Sequence, residues 1–387
     1  MKPGNAGGGK GPSFKGNVEV VDSNGRLVMS LVPPETTVGK LQEALRAKAK
    51  GTPSYRFYAL YDKVYRKDVL IEAYQRCRAN RGAAGVDGQT FEDIEKDGGW
   101  FRWLADLTED LRKKTYQPQA VRRVWIPKGD GKMRPLGIPT IRDRVVQMAA
   151  VLILEPIFET DLRPEQYAYR PERGALDAVQ AVHRLVNQGY TEVVDADLSG
   201  YFDSIPHHEL MKSVARRVCD GQMLSLIQSW LDMPVEETDE RGNRRRTTRN
   251  RDEGQGTPQG AVISPLLANL YMRRFVLGWE TLGHGSRLDA KLVNYADDFV
   301  ICCRGKGANA MASMRNMMAK LKLTVNEKKT RLCRLPEETF DFLGYTIGRC
   351  YSPKTGRSYL GTYPSDKKVR KMVATIRILT ARKTTGR

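Results

Sequence analysis

Two apolar runs flank an adjacent pair of aspartates in residues 291–304, KLVNYADDFVICCR. The apolar runs contain strand-forming residues such as Val293 and Phe299, and Asp297 and Asp298 interrupt them where a tight turn would fall. The pattern predicts a β-hairpin with two carboxylates at its tip. Adjacent carboxylates repel each other unless a cation neutralises them. Such hard oxygen ligands suit Mg²⁺, although turn chemistry alone also accounts for an Asp-Asp pair.

The charge of the chain indicates the class of its partner. Its 387 residues include 64 Lys and Arg against 45 Asp and Glu, a net charge of +19. This excess favours nucleic acid, although a membrane surface would attract the same charge. The longest apolar segment, residues 145–158, is too short and too interrupted to span a bilayer. We therefore expect a soluble, cytoplasmic protein with no membrane partner.

The six cysteines do not form a CxxC pattern. We interpret them as buried, reduced thiols rather than a zinc site or a disulfide framework. They are Cys77, Cys219, Cys302, Cys303, Cys333 and Cys350.

A third carboxylate comes from residues 192–205, EVVDADLSGYFDSI. Asp195 and Asp197 alternate along a predicted strand and so share one of its faces, and Asp197 falls where the strand gives way to a turn. Further along, residues 254–271 (GQGTPQGAVISPLLANLY) predict a Gly/Pro loop that opens a helix near Ser264.

Asp197, Asp297 and Asp298 thus follow one another along the chain, with the Gly/Pro loop between them. Joining a nucleotide to a 3′ end is well served by two divalent ions, which need carboxylates converging from different elements. The order of the three residues is compatible with that chemistry.

Several basic segments could meet phosphates. Residues 121–139, VRRVWIPKGDGKMRPLGIP, predict a basic hairpin, and residues 236–253 predict an exposed loop or ribbon. Two arginines of a Pro/Gly loop precede a helix, a position suited to backbone phosphates. A solvated basic face is the alternative for the hairpin and the ribbon. The arginines of the loop and the ribbon that we expect to contact nucleic acid are Arg170, Arg173, Arg244, Arg245 and Arg246.

Apolar periodicity predicts the remaining elements. Residues 1–17 look like a flexible basic leader, and residues 18–32 could form a hairpin. Helices are predicted at 38–50, 54–80, 100–115, 142–158, 308–323 and 365–380, and short strands at 325–334 and 340–347.

Together these motifs resemble those of reverse transcriptases. YADD, DADLSGYFD, TPQG and the FLGY box at 342–345 occur in the order found in that family. RGAAGVDGQT, IPKGDGKMRPLGIP, IRDRVVQMAA and YAYRPERGALDAV resemble the reverse transcriptases encoded by bacterial group II introns. The resemblance runs from about residue 40 to 368, and the number, order and spacing of the motifs carry it.

The resemblance implies an α+β, right-hand polymerase fold. Residues 1–39 would be a basic leader, 40–190 the helical and hairpin fingers, and 191–365 a palm with an antiparallel sheet backed by helices. Residues 366–387 would begin a thumb. We expect this thumb to be incomplete and an endonuclease domain to be absent, because little chain follows the FLGY box.

The resemblance also implies the metal ligands. Asp197, Asp297 and Asp298 match the carboxylates that hold two Mg²⁺ ions, for which Mn²⁺ can substitute, and the backbone carbonyl of Leu198 is a further expected ligand. Gly344 lies in the segment that resembles the primer grip.

Five further residues match positions that bind the incoming nucleotide. Phe202 matches the aromatic residue that excludes a 2′-hydroxyl, and Gln259 matches the residue that packs against the nucleotide. Lys128 and Arg134 match residues that grip the triphosphate, and Lys329 matches a basic residue near the pyrophosphate.

The implied function is RNA-templated DNA synthesis from dNTPs on a DNA primer, in service of a mobile group II intron whose RNA would be the template. A separate C-terminal polypeptide or a homodimer is a further expected partner. The alternatives are an RNA-dependent RNA polymerase, a host-domesticated defence reverse transcriptase, and a maturase that binds RNA without polymerising. The bulky Phe202 argues against RNA synthesis, and the three intact carboxylates argue against a maturase alone.

Overall fold

The computed structural model describes residues 36–127, 133–239 and 241–380. Helices and antiparallel sheets are mixed along the chain, as the α+β prediction requires. The helices are α1 (Thr37–Gly51), α2 (Tyr61–Val64), α3 (Lys67–Ala79), α4 (Phe91–Glu95), α5 (Trp100–Lys113), α6 (Ile141–Glu159), α7 (Ala175–Asn187), α8 (Tyr201–Ser204), α9 (His207–Ala215), α10 (Gly221–Leu231), α11 (Arg249–Glu253), α12 (Ser264–Thr281), α13 (His284–Arg287), α14 (Gly307–Lys320) and α15 (Asp366–Thr380), with a 3₁₀ turn at Lys96–Gly98.

The strands form three sheets. They are β1 (Val121–Pro127), β2 (Met133–Ile138), β3 (Glu192–Ala196), β4 (Val235–Thr238), β5 (Arg244–Thr247), β6 (Ala290–Tyr295), β7 (Asp298–Cys303), β8 (Arg331–Arg334), β9 (Phe340–Phe342), β10 (Tyr345–Tyr351) and β11 (Ser358–Pro364). The sheet orders are β2-β1-β4-β5, β6-β7-β3-β8 and β11-β10-β9.

The antiparallel sheet β6-β7-β3-β8 lies between two hydrophobic cores, because successive side chains of a strand point to opposite faces. One face, which includes Val194 and Phe299, belongs to the core that contains α12 and α14. The other face, which includes Val193 and Val300, packs with α7 and the three-stranded sheet. Both faces are covered, which explains why β6 and β7 read as nearly continuous apolar runs.

The sheet β2-β1-β4-β5 joins the predicted hairpin to the predicted ribbon. β1 and β2 pair antiparallel, β4 and β5 do the same, and β1 pairs with β4 in parallel through Val121 opposite Val235. The local hairpins follow from the sequence, whereas the parallel contact between them is not predicted. It unites basic segments that lie more than a hundred residues apart in the chain.

Helix α6 carries the core of the N-terminal region. It is buried along nearly its whole length, and its apolar residues meet α1 and α3. Thr140 caps its start by accepting a hydrogen bond from the N–H of Asp143 at 3.1 Å. The predicted helix at 142–158 is confirmed.

Three predictions of secondary structure are wrong. Residues 54–80 do not form one helix but contain two, α2 and α3. Phe57, before α2, forms a β-bridge with Val218, so its backbone is extended rather than helical. The strand predicted over 325–334 begins only at Arg331, because residues 325–330 form an isolated bridge at Val325 followed by a turn. Residues 340–347 are two strands joined at Leu343-Gly344, where both residues have positive φ and reverse the chain.

Other predictions concern the cysteines and the termini. Cys219 is exposed and Cys350 is only partly buried, so the expectation that all six thiols are buried is wrong for these two. Within the described ranges, none of the helices is long and apolar enough to cross a membrane. The leader, the hairpin at 18–32 and residues 381–387 lie outside the described residues.

Candidate active site

The predicted hairpin is present and its tip is held by an asparagine. Tyr295 pairs with Asp298, which leaves Ala296 and Asp297 as the two turn residues. Ala296 has a positive φ of 56°, and the buried Asn294 donates a hydrogen bond from Nδ2 to its carbonyl at 2.8 Å. The asparagine side chain therefore fixes a turn whose backbone an alanine rarely adopts.

The register between β3 and β7 brings two of the predicted carboxylates together. Ala196 pairs with Phe299, so the next positions in the same register are Asp197 and Asp298. Residues opposite each other in antiparallel strands have Cβ atoms roughly 4.5–5.5 Å apart. Both aspartates line a pocket of about 350 Å³.

Asp197 is held by the segment before β8. Asn326 donates from Nδ2 to its Oδ2 at 2.8 Å and from the backbone N–H to its carbonyl at 2.8 Å. The N–H of Asp197 donates to Thr330 Oγ1 at 3.2 Å, and Lys329 Nζ lies 3.2 Å from its Oδ1. These contacts place the carboxylate and bring Lys329 to it.

The carbonyl of Leu198 faces away from this segment. Leu198 and Val325 form an antiparallel bridge in which Asn326 donates to Asp197 and Ser199 donates to Thr324. In such a bridge the central residue directs its own N–H and C=O to the opposite side. For Leu198 that side is the edge on which β7 pairs with β3.

Asp297 differs from Asp197 and Asp298 in that it does not line this pocket. It occupies the turn and is not among the residues that line the pocket, although Asp298 beside it is. In the described part of the chain, no three or more His, Cys, Asp and Glu side chains lie close enough together to hold a metal ion. The structure thus assembles two of the three predicted carboxylates in one pocket.

Asp195 adds a further acid to the same pocket. It lies on the face of β3 that leads to Asp197, and burial raises the pKa of Asp195 to about 6, with Arg331 opposing the shift. Arg331 Nε lies 3.7 Å from Asp195 Oδ2, and Arg331 also donates to the carbonyl of Thr339 at 3.0 Å. This arginine links the catalytic strand to the chain that enters β9.

The TPQG loop is tied to the segment after Asp197. The N–H of Thr257 donates to the carbonyl of Phe202 at 2.7 Å, and Gln259 Nε2 donates to Asp203 Oδ2 at 2.8 Å. The N–H of Gly137 in β2 donates to the carbonyl of Gln259 at 2.6 Å. The structure therefore brings Phe202 and Gln259 into one neighbourhood beside the β1–β2 hairpin.

Close approach explains the glycine of TPQG. Gly260 has a φ of 105°, and a Cβ there would lie 2.7 Å from the carbonyl oxygen of Gly137. Any side chain would push the loop away from β2. Arg134 of β2 is partly exposed on the same hairpin, whereas Lys128 lies outside the described residues.

Gly344 lines the same pocket as the two carboxylates. Phe342 and Leu343 line it as well, and the carbonyl of Gly344 accepts a hydrogen bond from the N–H of Ser365 at 3.0 Å. The β9–β10 turn is thus anchored where α15 begins.

The two arginines of the Pro/Gly loop have different environments. Arg170 is 5% exposed, pairs with Glu159 at 2.6 Å, and donates to the carbonyls of Arg163 and Gln166. This placement argues against a phosphate contact, because its donors bind protein atoms inside the fold. Arg173 is partly exposed and lies over the ring of Tyr167, 5.4 Å from the centroid.

The ribbon arginines are exposed on both faces of their sheet. Arg244 and Arg246 lie near Glu236 at 3.6 and 3.1 Å, whereas Arg245 pairs in register with Glu237 on the other face. The arginine ends of these ion pairs are exposed, and ion pairs at a surface contribute little to stability.

Sequence reasoning missed several side chains that support the site. Asn326, Thr330 and Arg331 act through hydrogen bonds or ion pairs to residues distant in the chain, which periodicity does not reveal. Asn294 acts on Ala296, two residues away, through a side-chain hydrogen bond that a strand pattern does not predict. Asn326 and Thr330 could have been proposed from the sequence, because they flank Lys329, which was predicted to lie at the site.

Comparison with known proteins decides the family. The model of the family "Reverse transcriptase (RNA-dependent DNA polymerase)" matches residues 126–347, more than half of the chain. The chain belongs to this family. Its members generally use divalent metal ions and act on nucleic acid, and the predictions of a reverse transcriptase and of a polymerase fold are confirmed.

Two relatives of this reverse transcriptase match different shares of the chain, and one of them carries a group II intron name. Protein YkfC of Escherichia coli K12 is 32% identical over 370 residues, which cover 85% of this chain and 93% of YkfC. Group II intron-encoded protein LtrA of Lactococcus lactis subsp. cremoris is 33% identical over 227 residues, 57% of this chain and 35% of LtrA. The match therefore spans about a third of LtrA. The predicted group II intron type of reverse transcriptase is confirmed at the level of the family.

A solved chain from a partial Cas6-RT-Cas1–Cas2 complex shares 22% identity at a TM-score of 0.40, covering 70% of this chain and 43% of that one.

Proposed function

We propose that this reverse transcriptase adds dNTPs to the 3′ end of a DNA primer on an RNA template. The observation that carries the proposal is the pocket lined by Asp197 and Asp298, at the ends of neighbouring strands, together with Lys329 and Gly344. In this proposal, residues 40–190 act as fingers and residues 191–365 as the palm.

The donor chemistry of the pocket fits Mg²⁺. Two carboxylates at adjacent positions of a sheet repel each other, and a divalent cation with a preference for hard oxygen removes that repulsion. Asp197, Asp297, Asp298 and the Leu198 carbonyl would hold two such ions, and Mn²⁺ could replace them. When bound, the ions supply activation of the 3′-hydroxyl and neutralisation of the triphosphate.

The residues around the pocket would bind and orient the nucleotide. Phe202 and Gln259, joined through the TPQG loop, would form the wall against its sugar, and Lys128 and Arg134 would approach the triphosphate from the hairpin. Lys329 carries its cation on a 57% exposed side chain and would meet the leaving pyrophosphate. Its ammonium can also donate a proton there.

We assign the RNA substrate to a group II intron. The names of the relatives support this choice, and the net charge of +19 and the exposed ribbon arginines provide the electrostatics. Copying of the intron RNA into DNA serves intron mobility, and the same RNA affinity would assist splicing.

Primer extension tests the proposal. The chain should extend a DNA primer annealed to an RNA template when given dNTPs and Mg²⁺, and chelation of the ions should stop extension. RNA binding without any extension under these conditions would contradict the proposal and favour a maturase that does not polymerise.

A further inference from the structure

We propose that a second pocket, between α9 and α12, binds the phosphate backbone of RNA. The pocket has a volume of about 400 Å³, within the range of small-ligand sites. Four of its lining residues are cationic, and a single carboxylate accompanies them. The cations are Lys212, Arg216, Arg273 and Arg274, and the carboxylate is Asp161.

This pocket lies across the palm sheet from the catalytic carboxylates. Helix α12 packs on the sheet through Phe275, whose ring centroid is 5.2 Å from that of Phe299 in β7. Asp298, the neighbour of Phe299, points to the other face because side chains alternate along a strand. RNA held in the second pocket would therefore not obstruct the catalytic pocket.

The single carboxylate cannot neutralise the four cations. Asp161 Oδ2 lies 2.9 Å from Arg216 Nη2 and also 3.3 Å from Nε of Arg217, which is 1% exposed. A buried arginine needs a partner, so Asp161 is committed to the interior of the fold. The pocket keeps an excess of positive charge.

Hydrogen bonds fix two of the guanidinium groups before any ligand arrives. Arg273 Nε donates to the carbonyl of Asp161 at 2.6 Å, and Arg274 Nη1 donates to the carbonyl of Glu209 at 2.9 Å. Arg274 also lies 5.6 Å from the ring centroid of Tyr271. Burial, together with the charge of nearby Arg216, lowers the pKa of Arg273. An anion in the pocket would relieve this crowding.

Phosphate suits such a site because guanidinium groups bind its oxygens through paired, charge-assisted hydrogen bonds. The pocket also has an apolar floor that includes Leu270 and Leu277, which can accommodate the ribose that carries the phosphate. The choice of RNA as the source of the phosphate rests on the proposed function.

The test compares two double substitutions that remove the same charge. Lys212→Gln/Arg216→Gln alters the two exposed cations of the pocket, and Lys291→Gln/Lys320→Gln alters exposed lysines elsewhere in the palm. The affinity for a single-stranded RNA of about 20 nucleotides is measured over a range of salt concentrations. Each lost phosphate contact should flatten the slope of log K against log salt by about 0.7.

We expect the pocket variant to lower RNA affinity on the order of tenfold at low salt and to flatten the slope by roughly 1.4, the sum of two contacts. The control variant should change both quantities much less. Equal effects of the two variants, or no effect of the pocket variant, would overturn the inference. Arg216 pairs with Asp161, so the double substitution could lower the melting temperature. In that case Lys212→Gln alone is compared with the parent chain, and it should flatten the slope by about half as much.

A separate measurement distinguishes this inference from the proposed polymerase. The rate of extension from a saturating, preformed template–primer should be the same in the pocket variant and the parent chain. If the parent chain fails to extend primers, the proposed function fails, while the comparison of RNA affinities still decides the second pocket.

Discussion

Asn326 holds Asp197 through two hydrogen bonds, one from its side chain to Oδ2 and one from its backbone N–H to the carbonyl, each 2.8 Å long. The two contacts fix both the strand end and the orientation of the carboxylate. Asn326 is therefore a positioning residue for a group that has to meet a cation and a substrate.

Substitution of Asn326 tests this role. Asn326→Ala should lower the rate of primer extension by about 10–100-fold, the usual effect of removing a group that orients a metal ligand. The Mg²⁺ concentration that gives half-maximal rate should rise by a similar factor. Asn309→Ala, at an exposed position of α14, is the control and should leave both quantities unchanged. A normal Mg²⁺ dependence in Asn326→Ala would remove Asn326 from this role.

Phe202 should determine the choice between deoxyribonucleotides and ribonucleotides. It is partly buried, and its carbonyl accepts a hydrogen bond from Thr257 in the TPQG loop, which fixes its backbone. Phe202→Val should open room for a 2′-hydroxyl and lower the ratio of kcat/KM for dCTP over CTP by about 10–100-fold. If this ratio is unchanged, Phe202 does not contact the sugar.

Glu155 should destabilise the fold near neutral pH. It is 3% exposed in α6, and its Oε1 is without a hydrogen-bond partner among the described residues. Burial raises the pKa of Glu155 from 4.5 to about 7, with Arg76 opposing the shift. Protonation of Glu155 contributes fully to the stability of the fold at a pH below the pKa of this group in the unfolded chain. That contribution is lost as the pH rises through its pKa in the folded protein.

Glu155→Gln removes this ionisation. The variant should be more stable than the parent near pH 8, by on the order of 3 kcal/mol, and nearly equal to it near pH 4. Denaturant unfolding at the two pH values measures the difference, with exposed Glu43→Gln as the control. An equal gain at both pH values would show that ionisation is not the cause.

The ribbon arginines should contribute to RNA affinity. Replacing Arg244, Arg245 and Arg246 together by Gln should flatten the slope of log K against log salt by about 2, because three contacts at 0.7 each are lost. Glu236→Gln is a useful contrast, since it releases Arg244 and Arg246 from their ion pairs and should not weaken binding. An unchanged slope in the triple variant would make the ribbon a solvated surface.

Local sequence patterns predicted the YADD hairpin well. The alternation of strand formers around Asp297 and Asp298 encodes a turn between neighbours, and the observed β6–β7 pairing follows it directly. The strand before Asp197 and the helix after the TPQG loop are likewise encoded by neighbouring residues, and both are present.

Other features depend on contacts between distant segments. The parallel pairing of β1 with β4 and the two bonds from Asn326 to Asp197 join residues more than a hundred positions apart. The prediction of a single helix over 54–80 is wrong for a related reason. Phe57 exchanges backbone hydrogen bonds with Arg217 and Cys219, and this tertiary pairing overrides the helical periodicity.

We propose that Asp197 and Asp298 form the catalytic pocket, and single-turnover primer extension on an RNA template measures what each contributes. Asp197→Ala and Asp298→Ala should each lower the rate about a thousandfold or more, because several kcal/mol of transition-state stabilisation are lost at ~1.4 kcal/mol per decade. RNA affinity should stay within about twofold of the parent, since binding rests on distant cations. Asp106→Ala, on the exposed surface of α5, should extend normally. Near-normal extension by both Asp197→Ala and Asp298→Ala would show that this pocket is not the catalytic site.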